Sequence, residues 1–341
     1  MLALRLQPGG QLVLGDEPMP EPAAGEVLIR VTAVGLCGSD RHWLVDGGMG
    51  DDVIDAPIVP GHEFAGIVER GPQRGRRVTV DPCMPCGRCE PCRTGIAHLC
   101  VAMRFAGLAP TDGALREYVA WPEAALHSVP DSLDDVAAAL IEPLAIAVHA
   151  VERAGVLAGA TVGVMGCGPI GLLIVAVARA AGAASIVATD PLAHRRETAA
   201  ALGASSVVAA TAAGDERAAI LAATGGRGLD IVFEAAGEQP AVDTAIETVR
   251  PGGEVVLVGI PTGDRTAFKA SLARRKELTL RLSRRSTEAD TARAISLAAA
   301  GTVDLPGLVS LCVSLRDARR GFDSLVARDG IKVVIRPGAV A

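Results

Sequence analysis

Between Gly159 and about Leu282 the sequence alternates short apolar runs with alanine-rich segments whose apolar residues recur at helical spacing. The apolar runs TVGVMG, SIVATD, SSVVAA, DIVFEAAG and EVVLVG favour β-strands. Strand–helix alternation of this kind predicts a parallel sheet with helices on both faces. This part of the chain is therefore predicted to be a doubly wound α/β domain.

A glycine-rich turn lies at the first strand–helix junction of this region. Gly166, Gly168 and Gly171 form the pattern G-x-G-x-x-G, directly after the TVGVMG strand and at the start of a predicted helix. The first glycine permits a tight turn, the second lets the backbone approach a pyrophosphate, and the third lets the helix pack on the strand. The helix N-terminus then faces the phosphates. An ordinary glycine turn is the alternative, but the strand, the helix and a following acid favour dinucleotide binding.

The acid is Asp190, at the end of the second predicted strand. Its carboxylate can accept hydrogen bonds from the adenosine ribose hydroxyls and would repel a 2′-phosphate, which favours NAD over NADP. Arg195 and Arg196 follow closely, and an arginine can hold a 2′-phosphate, so NADP stays the alternative. The predicted cofactor-binding residues are Gly166, Gly168, Pro169, Ile170, Gly171, Asp190, Arg195, Val258 and Gly259.

The chain has 341 residues, of which 50% are hydrophobic, and this length fits about two domains. The N-terminal part is predicted to form short β-strands joined by loops rich in proline and glycine. A helical pattern starts near Asp134, and the C-terminal part mixes a helix with short strands, one of which places Cys312 in the expected core. We expect a β-rich domain over 1–143, an inserted cofactor domain over 144–284 and a return to the first domain over 285–341.

The net charge of −6 gives no reason to expect nucleic acid or an anionic membrane as a partner. Glycine, proline and charged residues interrupt every apolar run before it reaches the roughly 18–20 residues of a membrane span. The N-terminal segment lacks the pattern of a secretion signal. We therefore expect a cytoplasmic protein, in which thiols stay reduced and clustered cysteines favour a metal over disulfides.

Five of the eight cysteines lie in CMPCGRCEPCRTGIAHLC, residues 83–100, and two sets of four are possible. Cys83, Cys86, Cys89 and Cys92 repeat every three residues, as in iron–sulfur proteins, but the spacing before the last cysteine and the missing proline after it do not fit. The other set is Cys86, Cys89, Cys92 and Cys100. Four thiolates around zinc leave no open position, so such a site holds a loop and does not catalyse.

Two further segments, GLCGSDRH and PGHEFAG, contain Cys37, His62 and Glu63 on predicted loops between strands, and a third segment, IEPLAIAVH, adds Glu142. A thiolate, an imidazole and a carboxylate with one open position make a catalytic zinc site. Sequence spacing does not by itself place Cys37 beside His62. A buried thiol and a hydrogen-bonded histidine remain the alternative.

Taken in order, these motifs resemble the zinc-dependent medium-chain dehydrogenase/reductase family and, within it, the sorbitol (polyol) dehydrogenase branch. GLCGSDRH resembles the catalytic-zinc cysteine loop, PGHEFAG the Gly-His-Glu motif, PCGRCEPCRTGIAHLC the structural-zinc lobe and GCGPIGL the nucleotide loop. The resemblance covers essentially the whole chain. It implies a Rossmann-type parallel sheet inserted in a β-rich, GroES-like catalytic domain.

The resemblance also implies roles for these residues. The expected ligands of the catalytic zinc are Cys37, His62 and Glu63, with Glu142 as a further ligand or as the hydrogen-bond partner of the water on the metal; the expected ligands of the structural zinc are Cys86, Cys89, Cys92 and Cys100. Cys83 is then not a ligand. Ser39 and His42 match the relay that carries the substrate proton outward through the cofactor ribose. Asp40 would orient a zinc ligand.

The implied reaction interconverts a secondary alcohol and its ketone by hydride transfer to NAD, with zinc lowering the pKa of the alcohol. Phe105 and Arg285 match the phenylalanine and the polyol-binding arginine of the branch. Trp43 stands where the branch usually has tyrosine, Leu108 replaces a threonine and Ser286 a tyrosine. Sorbitol itself is therefore in doubt, because lost hydrogen-bonding partners can shift specificity by orders of magnitude.

Several alternatives remain at this point. The same chemistry could act on an amino alcohol or a threonine-like substrate, or the chain could be a zinc- and nucleotide-binding relative without hydride transfer. The second alternative has no use for the Ser39–His42 relay. The family resemblance also implies a homo-oligomer, a tetramer or a dimer, acting on a small-molecule alcohol or ketone.

Overall fold

The computed structural model describes residues 1–50, 52–211, 214–261, 263 and 265–338. These residues form two compact units, one of Met1–Glu142 with Thr287–Ala341 and one of Pro143–Ser286. The boundaries expected from the sequence, at 143/144 and 284/285, fall beside these positions, and the functions assigned to the two domains stay predictions. None of the helices within the described ranges is both long and apolar enough to cross a membrane.

The first unit contains thirteen of the strands described here. They are β1 Leu2–Leu6, β2 Leu12–Asp16, β3 Glu26–Gly35, β4 Gly48–Met49, β5 Asp52–Val53, β6 Glu63–Arg70, β7 Arg77–Val80, β8 Cys83–Met84, β9 Arg104–Phe105, β10 Tyr118–Pro122, β11 Leu126–Ser128, β18 Val309–Ser314 and β19 Lys332–Arg336. Its helices are α1 Gly38–Val45, α2 Glu90–Arg93, α3 Asp135–Ala139, α10 Glu288–Ala299 and α11 Ala318–Ala327, and α4 Ile141–Ala154 begins at its edge.

The second unit alternates strands and helices. The strands are β12 Thr161–Met165, β13 Ser185–Asp190, β14 Ser206–Ala209, β15 Leu229–Glu234, β16 Val249–Leu257 and β17 Thr279–Leu282. The helices between them are α5 Pro169–Ala180, α6 Ala193–Ala201, α7 Glu216–Ala223, α8 Gln239–Thr248 and α9 Ala270–Lys276.

The main sheet of the first unit is built around β3. The strand order is β11-β7-β6-β3-β19-β18, and β10 also pairs with β3. β3 pairs antiparallel with β6, β10 and β19, so a strand from the C-terminal end of the chain lies beside one from its start. The core over this sheet includes Phe64 and Trp121, whose rings meet edge to face with centroids 6.0 Å apart.

The sheet of the second unit is entirely parallel, in the order β14-β13-β12-β15-β16-β17. Counted along the chain this is 3-2-1-4-5-6, the order of dinucleotide-binding doubly wound sheets, and it confirms the predicted fold class. The order reverses between β12 and β15. Ligands of such sheets bind outside the carboxyl ends of the strands at this point.

Four details differ from the sequence predictions. The stretch after Cys37, predicted to be a loop, begins an eight-residue helix, because Asp40 at its third position accepts a hydrogen bond from the Cys37 backbone N–H. The long helix predicted from Asp134 is divided at Leu140 into α3 and α4. Helices α9 and α11 and strand β17 were not predicted. The expectation that Cys312 lies in the core is wrong, because its side chain is on the exposed face of β18.

Candidate active site and metal centres

The pairing of β3 with β6 brings together the three candidate ligands of the catalytic metal. Gly35 at the end of β3 lies opposite Glu63 at the start of β6, and Cys37 and His62 flank this pair along the chain. One ligand atom from each of Cys37, His62 and Glu63 lies within 4.8 Å of the other two. A methyl group at Gly35 would overlap the Glu63 carboxylate, so the close approach needs glycine there.

Asp40 fixes the position of the cysteine. Its Oδ2 accepts a hydrogen bond of 2.8 Å from the Cys37 backbone N–H, and the side chain is almost completely buried. Burial raises the pKa of Asp40, and the neighbouring His62 opposes this effect. Asp40 therefore contacts the backbone of one candidate ligand and lies in the electrostatic field of another.

Lys332 completes the site from the other end of the chain. Its Nζ lies 2.7 Å from Oε1 and 2.5 Å from Oε2 of Glu63, and it donates to the backbone oxygen of Leu36 at 2.8 Å. Lys332 and Glu63 are 3% and 1% exposed, so this ion pair is shielded from water. Lysine at the first position of β19 places its ammonium group beside the candidate metal site because β19 pairs with β3.

The thiol and carboxyl groups around this position outnumber the one lysine. Burial raises the pKa of Cys37 to about 12 and that of Glu142 to about 8, and the charge of Glu63 adds to both shifts. Bringing these groups together without a cation is unfavourable, whereas a divalent ion would stabilise the thiolate and both carboxylates. The donor set of thiolate, imidazole and carboxylate fits a catalytic zinc. Glu142, in the first turn of α4, lies outside the group of three whose donor atoms converge within the described part of the chain.

Ser39 and His42 lie on α1. Ser39 is 8% exposed, and its hydroxyl has no hydrogen-bond partner within the described residues. The Nδ1 atom of His42 lies 2.7 Å from Oδ2 of Asp46, at the C-terminal end of the same helix. The two predicted relay residues are therefore on the helix that begins at the candidate metal ligand Cys37.

Two of the four predicted substrate-pocket residues, Trp43 and Leu108, lie in one apolar cluster. Trp43 is 5% exposed and packs in a cluster with Leu6 and Ile58, against which Leu108 also lies. The Phe105 ring lies 5.2 Å from the His62 ring, measured between centroids. Arg285, the fourth predicted pocket residue, follows β17 in the second unit and has a φ of +59°.

The sulfur atoms of Cys86, Cys89, Cys92 and Cys100 all lie within 4.8 Å of one another. The Cys89 sulfur is 3.4 Å from that of Cys92 and 3.7 Å from that of Cys100. A tetrahedron with metal–sulfur bonds of about 2.3 Å has edges of about 3.8 Å, so this geometry fits zinc. The Cys83 sulfur is not part of the group, and the eight cysteines, all within the described ranges, are free thiols.

Backbone amides favour thiolates in this cluster. The N–H groups of Arg88 and Cys89 lower the pKa of Cys86 to about 6, and those of Cys92 and Val101 lower the pKa of Cys89. Desolvation raises the pKa of Cys92 to about 12. Zinc requires all four thiolates, and two of the four are already stabilised by the local backbone.

The glycine turn between β12 and α5 has the geometry of a phosphate-binding turn. Gly166 has a φ of +96°, and a methyl group there would lie 2.8 Å from the Ala236 backbone nitrogen. Gly168 is the N-cap of α5, Pro169 its first residue and Ile170 its second. A methyl group at Gly171 would overlap the carbonyl oxygen of Gly166. The turn therefore requires glycine at Gly166 and Gly171, where an added side chain would meet backbone atoms.

The other predicted cofactor residues lie at or after the carboxyl ends of strands β13 and β16. Asp190 ends β13, where Oδ2 accepts from the Cys167 N–H and Oδ1 from the Leu192 N–H. An Arg195 guanidinium nitrogen lies 3.9 Å from Oδ2 of Asp190. Val258 and Gly259 follow β16 and donate backbone hydrogen bonds to the Glu234 carbonyl at the end of β15.

Two residues next to these sites were not predicted from the sequence. Lys332 is the first residue of the apolar run KVVIRP. A single lysine at the start of an apolar run was the only sign in the sequence of a buried and paired residue. Asp46 lies four residues after His42, and this spacing places two side chains on one helix face. Neither partner could be assigned until the helix and the strand pairing were known.

Comparisons with known proteins agree with this architecture. Residues 23–131 match the family model of the alcohol dehydrogenase GroES-like domain, and residues 169–300 match that of zinc-binding dehydrogenases. The D-xylulose reductase A of Aspergillus oryzae is 37% identical over 330 residues, covering 94% of this chain and 92% of the relative.

Two solved structures superpose on nearly the full chain. The L-idonate 5-dehydrogenase of Escherichia coli has a TM-score of 0.91 at 29% identity and covers 98% of both chains. A Sinorhizobium meliloti structure described as a zinc-binding dehydrogenase, bound to NADP, has a TM-score of 0.89 at 34% identity and covers 98% of this chain and 99% of its own. The chain therefore belongs to the zinc-dependent medium-chain family of alcohol and polyol dehydrogenases, as its motifs predicted.

Proposed function

We propose that this protein oxidises a secondary alcohol of the polyol, sugar or cyclitol type to its ketone with NAD, and catalyses the reverse reduction. The observation that carries the proposal is the convergence of Cys37, His62 and Glu63 beside a helix that bears Ser39 and His42. The relatives named for D-xylulose and L-idonate act on compounds of this class, which supports the choice of substrate.

Each residue of the site has a defined task in this proposal. Cys37, His62 and Glu63 hold zinc, and Glu142 serves as a further ligand or hydrogen-bonds in the open position. Bound zinc would supply a Lewis acid that lowers the pKa of the substrate hydroxyl, and bound NAD the hydride acceptor. Ser39 accepts the hydroxyl proton, and His42 passes it toward solvent.

In the proposed reaction the substrate loses a proton from its hydroxyl and a hydride from its carbon. The substrate hydroxyl loses its proton to the relay, and the carbon loses a hydride, so the products are a ketone, reduced cofactor and one released proton. Phe105 beside His62 contributes an apolar wall close to the candidate ligands. Such a wall excludes water from the reacting atoms and strengthens their electrostatic interactions.

The preference for NAD rests on Asp190. Its carboxylate is 3% exposed and is held by two backbone N–H groups at the end of β13, so it presents a fixed negative charge to the adenosine ribose. Arg195 offsets part of this charge, and one relative binds NADP, so the cofactor assignment needs its own measurement. The ratio of kcat/KM for NAD and NADP is the appropriate test.

The cluster of Cys86, Cys89, Cys92 and Cys100 is proposed as a structural zinc site. Its four sulfurs can close a tetrahedron and leave no position for substrate. A homo-oligomer and a cytoplasmic location complete the proposal, and light scattering and cell fractionation test them.

The zinc-loaded protein should form NADH with at least one member of a panel of polyols, sugars, cyclitols and amino alcohols. Cys37→Ser should lose at least about 10³-fold in turnover, because it removes one of three ligands, while NAD binding in the separate glycine-turn unit persists. Zinc content should fall from about two per chain to one. Full activity of this variant, or a panel without any turnover, contradicts the proposal.

A further inference from the structure

One face of helix α1 carries Ser39, His42 and Asp46. The spacing of three and four residues places them in a row along the helix. Exposure increases along this row. Ser39 is 8% exposed as a residue, and the side chains of His42 and Asp46 are 21% and 46% exposed. The row therefore leads from the buried end of the helix, beside Cys37, to solvent.

The contact between His42 and Asp46 is well defined. Nδ1 of His42 lies 2.7 Å from Oδ2 of Asp46, and the Asp46 backbone N–H also donates to the His42 carbonyl at 2.9 Å. Gly47, with a φ of +72°, follows immediately and turns the chain away from the helix. The backbone therefore holds Asp46 in a position where its carboxylate is within hydrogen-bond distance of the His42 imidazole.

An acidic side chain at this position needs a local partner. The C-terminal end of a helix carries partial negative charge, which disfavours a carboxylate there. The imidazole of His42, in the last turn, offers a hydrogen-bond donor that offsets this cost. The pairing is therefore more than an incidental surface contact.

An ionised carboxylate only accepts hydrogen bonds, so it selects the form of the imidazole that carries a proton on Nδ1. The lone pair is then on Nε2, the atom free to accept a proton from the relay. Because the ring is held at Nδ1, its rotation about the Cβ–Cγ bond is also restricted. Both effects prepare His42 to accept a proton from the interior and to release one at the surface.

We propose that Asp46 is a positioning residue for His42 and that Ser39, His42 and Asp46 form one proton exit path along α1. The inference rests on the proposed dehydrogenase function and extends it to a residue outside the family motifs quoted above. In the oxidation direction Nε2 accepts the substrate proton, and the Asp46 carboxylate stabilises the imidazolium that forms. The imidazolium then loses a proton to water and returns to the form protonated on Nδ1, so one proton leaves per turnover.

The test uses the zinc-loaded full-length protein and the variant Asp46→Asn. An amide can accept from or donate to Nδ1 and no longer selects one tautomer. The single-turnover rate of NADH formation at low buffer concentration should fall by about 10-fold, less than the 10²–10⁴ that a complete general base contributes. KM for the alcohol should stay within about 2-fold, since Asp46 lies at the exposed end of the path. Added imidazole buffer should restore the rate, and Asp46→Glu should retain most of it.

The matched control is Asp323→Asn. Asp323 is an exposed helical carboxylate in an i,i+4 pair with Arg319. The substitution therefore removes the same charge from a comparable position that does not contact His42. Its rate should be unchanged at every buffer concentration. If Asp46→Asn also leaves the rate unchanged, or if its defect is not relieved by buffer, the proposed path is wrong.

A spectroscopic measurement separates this inference from the dehydrogenase assignment. Nitrogen-15 shifts of the six histidines report tautomers whether or not a substrate is known. The His42 signals should show a protonated Nδ1 in the parent and a mixture of tautomers in Asp46→Asn. An unchanged tautomer refutes the positioning role. A parent protein that shows the expected tautomer but forms no NADH with any alcohol refutes the proposed function alone.

Discussion

The buried pair of Lys332 and Glu63 makes a quantitative prediction about the first unit. Replacing Lys332 with methionine keeps most of the side-chain volume but leaves the Glu63 carboxylate, 1% exposed, without its cation, and the Leu36 carbonyl without its donor. Removing one partner of a buried ion pair costs about 3–5 kcal/mol. We expect Lys332→Met to lower the free energy of unfolding of this unit by that amount in chelator-treated protein.

Urea unfolding followed by tryptophan fluorescence is the assay. Both tryptophans, Trp43 and Trp121, belong to the first unit, so the signal reports the part of the protein that contains the pair. With an m value of about 2 kcal/mol/M, the midpoint should fall by about 1.5–2.5 M. Because zinc at the proposed site would supply positive charge beside Glu63, the same substitution should cost less in zinc-loaded protein.

The control and the double variant determine whether burial causes the effect. Arg319→Met removes a cation that pairs with Asp323 at the surface of the same unit, with a side chain 74% exposed, and should cost less than about 1 kcal/mol. In Lys332→Met combined with Glu63→Gln, the unpaired charge is gone, so the double variant should be more stable than Lys332→Met alone. The reasoning is refuted if Lys332→Met costs no more than Arg319→Met, or if the double variant is less stable than Lys332→Met alone.

Two further predictions concern the cysteine cluster and the glycine turn. Cys83→Ser should keep full zinc content by metal analysis, whereas Cys100→Ser should lose about one zinc per chain, because only the second sulfur belongs to the converging group; the opposite result would favour the other set of four. Gly171→Ala should weaken NAD binding, measured by calorimetry, by at least about 10-fold, since its methyl group would overlap a backbone carbonyl of the turn. Gly15→Ala, where a methyl group meets no other atom within 4 Å, is the control, and equal affinities of the two variants would contradict the role of close packing.

The parallel sheet could be predicted from the sequence because its signals are local. The first five strands are short, mostly apolar runs, and the four helices between them show helical periodicity, whereas α9 and β17 lack such a signal and were not predicted. The glycine turn is equally local, since strand, glycines and helix follow one another directly. The same holds for Cys86, Cys89 and Cys92, which lie within one short segment.

The candidate metal site could be predicted only through the family resemblance. Cys37 and His62 meet because Gly35 pairs with Glu63 across two strands, and pairing register is not encoded in either segment alone. Helix α1 was missed because its eight residues are too few for a clear periodic pattern. The burial of Lys332 depends on β19 lying next to β3, a contact between opposite ends of the chain, so local sequence carried no sign of its partner.

The position of β19 has a consequence for the order in which the molecule forms during synthesis. The second unit, Pro143–Ser286, is one continuous segment and can fold once it has left the ribosome. The first unit cannot complete its central sheet, or neutralise Glu63, until β19 has been synthesised, which happens after the whole second unit. Nascent chains that stop before Lys332 should therefore bind NAD but remain sensitive to protease at residues 1–142. The first unit would become protease-resistant only after β19 has joined its sheet.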